Sequence, residues 1–125
     1  MSYSPQALDH FHHPRNSGFL DERTAEGKSG KPGQGNYMVI HLLVEDGRIV
    51  RIAFKTYGCP GAIACGSAVT ELARGKTLEE AEDITRADVD SLLGGLPLGK
   101  GHCANLAASA LQDALQNARE AAGLQ

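Results

Sequence analysis

Four residues in this chain have the chemistry to hold a soft metal or attack sulfur: Cys59, Cys65, Cys103 and His102. Cys59 and Cys65 lie in "TYGCPGAIACG", and His102-Cys103 follow two glycines in "LPLGKGHCANLAASAL". Pro60 suits the first position of a helix, which places Cys59 at that helix's N-terminal end. Unpaired backbone N–H groups and the helix dipole stabilise a thiolate there, the form that binds metal or attacks a sulfur atom. His102 and Cys103 fall in the first turn of another helix, where an imidazole and a thiolate side by side suit Zn²⁺ or an iron–sulfur unit. The plainer alternative for each cysteine is a small buried side chain.

Cys65 divides between the two readings. Ala62, Cys65, Val69 and Leu72 have the spacing of a core stripe, and the helical rise sets Cys65 about 9 Å along the axis from Cys59. That spacing favours packing, while a looser first turn would bring the thiol within reach of a shared metal. Lys100 has two readings as well, a solvated charge or a cation that pairs with a nearby thiolate or persulfide. His10, His12 and His13 cluster near the end of the first helix, and a solvated or capping role is expected for them.

The elements that must position these residues are legible in outline. Ser4 and Pro5 open a short helix that Pro14 stops. Residues 16–36 are polar and Gly-rich and read as a loop. "NYMVIHLLVEDGRIVRIAFKT" reads as an antiparallel hairpin turning at Asp46-Gly47. In its second strand Ile49, Arg51, Ala53 and Lys55 alternate with Val50, Ile52, Phe54 and Thr56, so the latter set forms the apolar face. A helix runs from Pro60 towards Gly75, Thr77/Glu80 and Thr85/Asp88 have capping-box spacing, and a last helix covers about His102 to Ala122. Strands before helices predict an α+β domain, with a small antiparallel sheet packed against helices on one face.

Composition narrows the function classes. The 125 residues carry a net charge of −3, which offers no basic field for nucleic acid or an anionic membrane. Three cysteines, without a leader-like N-terminus or an apolar run of bilayer length, argue against a disulfide framework and predict a cytoplasmic chain forming one domain over residues 1–125.

Three stretches, "YSPQALDHFHHPRNSG", "FKTYGCPGAIACGSAVTELARGKTLEEA" and "LPLGKGHCANLAASALQDAL", together resemble the NifU/IscU-type iron–sulfur cluster scaffold family over nearly the whole chain. The resemblance implies a sheet of about three strands and a non-catalytic protein that carries a transient cluster, [2Fe–2S] in type, or Zn²⁺. It implies a cysteine desulfurase and recipient apoproteins as partners, and an Hsp70-type chaperone through residues 96–100. By position, Cys59 matches one ligand cysteine, His102-Cys103 match the His-Cys pair, and Lys100 matches the lysine of a Lys-x-His-Cys segment. Gln34 stands where the family has its first ligand cysteine, and Asn36 where it has an aspartate that assists release. An amide oxygen is a harder, poorer ligand than a thiolate, and the two replacements remove two negative charges. Cys65 would restore the thiol count. The alternative function is a zinc-binding or persulfide-carrying module of the same fold that builds no cluster.

Overall fold

The computed structural model describes residues 2–123, so Met1 and residues 124–125 of the expected domain lie outside it. The order is α1 (Pro5–His12), β1 (Ala25–Gly30), β2 (Tyr37–Glu45), β3 (Arg48–Tyr57), α2 (Pro60–Ala73), α3 (Leu78–Glu82), α4 (Arg86–Leu92) and α5 (Gly101–Ala121). The strands form one antiparallel meander, β1-β2-β3. Asp46 and Gly47 both have positive φ, 54° and 74°, as a two-residue hairpin turn matched to strand twist requires.

Met38, Ile40 and Leu42 of β2 and Ile49, Ile52 and Phe54 of β3 share a core with the alanine-rich faces of α2 and α5. Strict alternation places Ile49 with Arg51 on the opposite face, and the structure corrects this. Leu43 pairs with Arg51 but Val44 pairs with Ile49, so Val50 is an extra residue and the strand's phase changes there. The bulge returns Ile49 to the core, where burying such a side chain contributes about 1.5–3 kcal/mol.

The expected loop over residues 16–36 contains a strand. "AEGKSG" carries almost no β signal, and tertiary contacts form β1. Its residues pair with β2 from Ala25↔Leu42 to Gly30↔Tyr37. Side chains of α5 satisfy backbone groups of this edge strand: Asp113 accepts from the Lys28 N–H at 2.8 Å, and Asn117 donates to the Glu26 carbonyl at 2.7 Å. On the other edge, the Asn16 carbonyl accepts from the Phe54 N–H and the Gly18 N–H donates to the Phe54 carbonyl.

Helix caps follow the expected pattern. Ser4 accepts from the Ala7 N–H and donates to the Leu93 carbonyl, tying α1 to the end of α4. Both capping boxes, Thr77/Glu80 and Thr85/Asp88, are formed.

His10 is neither solvated nor a cap, unlike the expectation for its cluster. It is buried between α1 and α2, with Nδ1 2.7 Å from Ser67 Oγ and Nε2 3.4 Å from a Glu71 carboxylate oxygen. The carboxylate favours the proton on Nε2, so Nδ1 accepts from the Ser67 hydroxyl, whose oxygen in turn accepts from the Arg15 N–H at 2.8 Å. Burial, then the Arg15 charge, hold the imidazole below its ordinary pKa, against the pull of Glu71 and Asp9. A depressed histidine contributes stability that is complete above the unfolded value, about 6.5, and is lost as pH falls through the lower folded value. Wild type should therefore lose thermal stability between pH 7 and 5 faster than His10→Gln, which cannot titrate there. Parallel melting curves across that range would contradict this assignment.

A candidate thiol and imidazole site

Strand register assembles one end of the molecule. Tyr37 opens β2 and pairs with Tyr57, which closes β3, so Asn36 and Gly58-Cys59 emerge side by side. Cys59 is the N-cap of α2, and the first turn of α5 brings His102 and Cys103 to the same place. Cys59 Sγ and Cys103 Sγ are 3.6 Å apart, and Cys103 Sγ is 3.6 Å from His102 Nε2.

Asn36 lies among them. Its carboxamide nitrogen is 3.8 Å from Cys59 Sγ, 3.7 Å from Cys103 Sγ and 3.4 Å from His102 Nε2, while its oxygen accepts from the Cys59 N–H at 3.2 Å. Among the described residues, no three His, Cys, Asp or Glu side chains are arranged as a complete metal-binding group. Two thiols and an imidazole are gathered, with an amide where an anionic oxygen would complete the set.

The two sulfurs differ in acidity. Burial alone would raise Cys59, but the Ala62 N–H, the Cys103 thiol, the Gly61 N–H and the Asn36 amide outweigh it and hold the group below an ordinary thiol. Cys103, fully buried, is pushed up to about 12 by burial and then by Cys59, with Lys100 acting in the opposite sense. The pair loses its first proton from Cys59, and the remaining Cys103 S–H donates to that thiolate.

Cys65 makes none of these contacts, though Cys103 and Cys59 lie close enough to add electrostatically to the rise of its thiol. Its side chain is fully buried in the apolar core, and burial drives its thiol far above the ordinary range. The core-stripe reading describes where it sits. Lys100 is the N-cap residue of α5, and its charge acts on both Cys103 and Tyr3. Gln34 is exposed in the turn before β2, its N–H donating to the Lys31 carbonyl at 3.1 Å. An open cleft lined in part by Gly35, Asn36, His102, Asn105 and Ser109 runs beside the site.

Sequence reasoning missed Tyr3. Its phenol reaches the Gly61 backbone, and burial followed by the nearby Cys59 holds it above its usual value. Only its place at the head of "YSPQALDHF" hinted at a role.

Alkylation should read this hierarchy directly. Cys59 is expected to react first with iodoacetamide, and its rate to rise with pH below the ordinary thiol value of about 8.5. Cys103 should follow more slowly and Cys65 only on unfolding. Labelling of Cys103 before Cys59 would reverse the assignment.

A pair of thiols and an imidazole gather at one end of a three-stranded α+β fold, donor types that sulfur and soft-metal chemistry use. The family described as NifU-like N terminal domain matches residues 2–123, and this chain belongs to it. The iron–sulfur cluster assembly scaffold protein IscU 1 of Archaeoglobus fulgidus is 50% identical over 113 residues, 90% of this chain and 74% of that protein. Its Escherichia coli namesake, scaffold protein IscU, is 42% identical over 119 residues and 92% of each chain. A solved structure of the N-terminal part of a nitrogen-fixing NifU-like protein from Brucella abortus aligns over 94% of both chains with a TM-score of 0.70. At 18% identity that likeness shows the fold alone. Among the described residues, no helix is long and apolar enough to cross a membrane.

Proposed function

We propose that this chain is an iron–sulfur cluster assembly scaffold that accepts sulfur and iron at Cys59, Cys103 and His102 and passes the assembled cluster, its cargo, to apoproteins. The observation that carries the reading is the convergence of the two sulfurs and Nε2 within 3.6 Å contacts at the positions matching the family's ligands. Cys59 supplies an exposed-side thiolate at a helix N-terminus, Cys103 a protected second sulfur, and His102 a neutral nitrogen ligand suited to exchange. The donor chemistry fits iron or Zn²⁺ with one ligand fewer than a full protein set, and a [2Fe–2S] cluster is the cargo the reading favours.

The partners follow from that role: a cysteine desulfurase as sulfur source and recipient apoproteins in the cytoplasm. Leu96, Pro97, Leu98 and Lys100 form the segment for an Hsp70-type chaperone, and Leu98 is 90% exposed there. Cys65 serves the core.

The second reading, a zinc-binding or persulfide-carrying module that builds no cluster, is favoured by Gln34 and Asn36. The Asn36 amide donates towards both sulfurs, where the family's aspartate would bring a charge. The two are separated by transfer. Chain incubated anaerobically with Fe²⁺, desulfurase, cysteine and a dithiol reductant, then freed of small molecules, should convert an apo-ferredoxin to its coloured form. A chain that stays colourless, binds zinc tightly and converts no ferredoxin would establish the second reading.

A further inference from the structure

The site holds one accessible sulfur and one buried sulfur in contact with it. Cys59 is half-buried at the mouth of the site, whereas Cys103 is fully buried beneath it, 3.6 Å away. A persulfide donor approaching from solvent reaches Cys59, and Cys103 meets sulfur only after it has been placed on Cys59. Asn36 Nδ2, within 3.8 Å of both thiols, is a neutral donor beside the reacting sulfurs and offers no charge against a departing hydrosulfide, which leaves from the side of Cys59 opposite Cys103. A carboxylate in its place would repel that anion.

We infer that Cys103 resolves a persulfide on Cys59, releasing hydrosulfide and leaving a Cys59–Cys103 disulfide. This rests on the sulfur-acceptor reading and adds a step to it. In the reaction the Cys103 sulfur attacks the inner sulfur of the Cys59 persulfide, and the bond to the outer sulfur breaks. The outer sulfur takes the electron pair and departs as hydrosulfide, with the Cys103 proton released to solvent or to the leaving sulfur. The two cysteine sulfurs are oxidised together by two electrons, and the outer sulfur is reduced by two. The chain thereby supplies the reducing equivalents for one sulfide per pass, and an external dithiol must restore the two thiols before the next. A mobile third thiolate is not required. Cys65, enclosed in the core on the same helix as Cys59, does not take part.

The test uses the full chain, reduced, desalted and anaerobic, with one equivalent of glutathione persulfide as probe. Wild type is expected to lose two mass units as a Cys59–Cys103 bridge in peptide maps and to release about one hydrosulfide per chain above the level from Cys103→Ser. Cys103→Ser should instead gain 32 mass units on Cys59 and keep them, and Cys65→Ala should behave as wild type. Because Cys103 is buried, Cys103→Ala serves as a second variant with the same expected gain. Wild type that keeps the added 32 mass units with Cys103 free, or that bridges Cys59 to Cys65, overturns the inference and leaves the sulfur-acceptor reading in place. Wild type that stays unbridged and unmodified, together with no sulfur gained by either Cys103 variant, overturns both.

Discussion

Gly27→Ala is expected to lower the melting temperature by more than about 10 °C or to prevent folding. A Cβ built at Gly27 lies 2.2 Å from the Ala114 nitrogen, 2.5 Å from the Ala110 carbonyl oxygen and 2.6 Å from the Ala114 Cα, all backbone atoms of α5. Flexible side chains elsewhere could turn aside, but a helix backbone can yield only by moving away from the sheet. That movement opens the contact between β1 and α5 and stretches the bonds from Asp113 and Asn117 to the β1 backbone. Overpacking of this kind costs about 3 kcal/mol or more, a large part of a small domain's stability of roughly 5–15 kcal/mol. Gly101→Ala is the matched control: its added Cβ meets nothing within 4 Å, and its φ does not call for glycine. Gly27→Ala melting within about 2 °C of wild type would show that β1 does not rest on α5 as described.

The double replacement Gln34→Cys with Asn36→Asp should raise iron retention against a chelator at least about tenfold. A thiolate in place of an amide supplies a soft, anionic ligand, and the restored carboxylate adds a second negative charge beside Cys59 and Cys103. The loss of the Asn36 donor has an opposite consequence in the metal-free chain. Without that amide the Cys59 thiolate loses one of the contacts that stabilise it, so its alkylation should shift to higher pH. Tighter metal binding together with a less acidic Cys59 is a pairing that a general change in stability would not produce. Unchanged iron retention would mean that the turn carrying Gln34 does not reach the site.

The sequence was informative where local chemistry and structure agree. Ser4, Thr77 and Thr85 cap helices because their hydroxyls meet backbone N–H groups three residues on, an arrangement visible in the residue order. The tight turn at Asp46-Gly47 was equally legible. Strand β1 was not, because its residues have little intrinsic preference for extension and are held by β2 and α5, far away in sequence. Ile49 was misplaced for a related reason: a bulge at Val50 is a property of the pairing, and no residue type there announces it.

The site divides the same way. The places of Cys59 and Cys103 at helix starts were legible in the sequence, and the spacing of Cys65 favoured the core while leaving ligation open. Asn36 was noticed as a replacement for an aspartate, but its amide's contacts with both sulfurs and His102 depend on the register that sets Tyr37 opposite Tyr57. His10 offered no signal that separated it from His12 and His13. Its burial follows from the packing of α1 on α2, where Ser67 and Glu71 meet it.

In the proposed function, sulfur and iron gather at Cys59 and Cys103 while Cys65 only fills the core. The most direct test is iron and acid-labile sulfide content per chain after anaerobic reconstitution of wild type, Cys59→Ser, Cys103→Ser and Cys65→Ala side by side. Loss of both elements is expected in the first two variants and wild-type content in Cys65→Ala, with a stability loss of about 1–3 kcal/mol from the truncated core side chain. Wild-type iron and sulfide in Cys59→Ser or Cys103→Ser, or their loss in a folded Cys65→Ala, would contradict it.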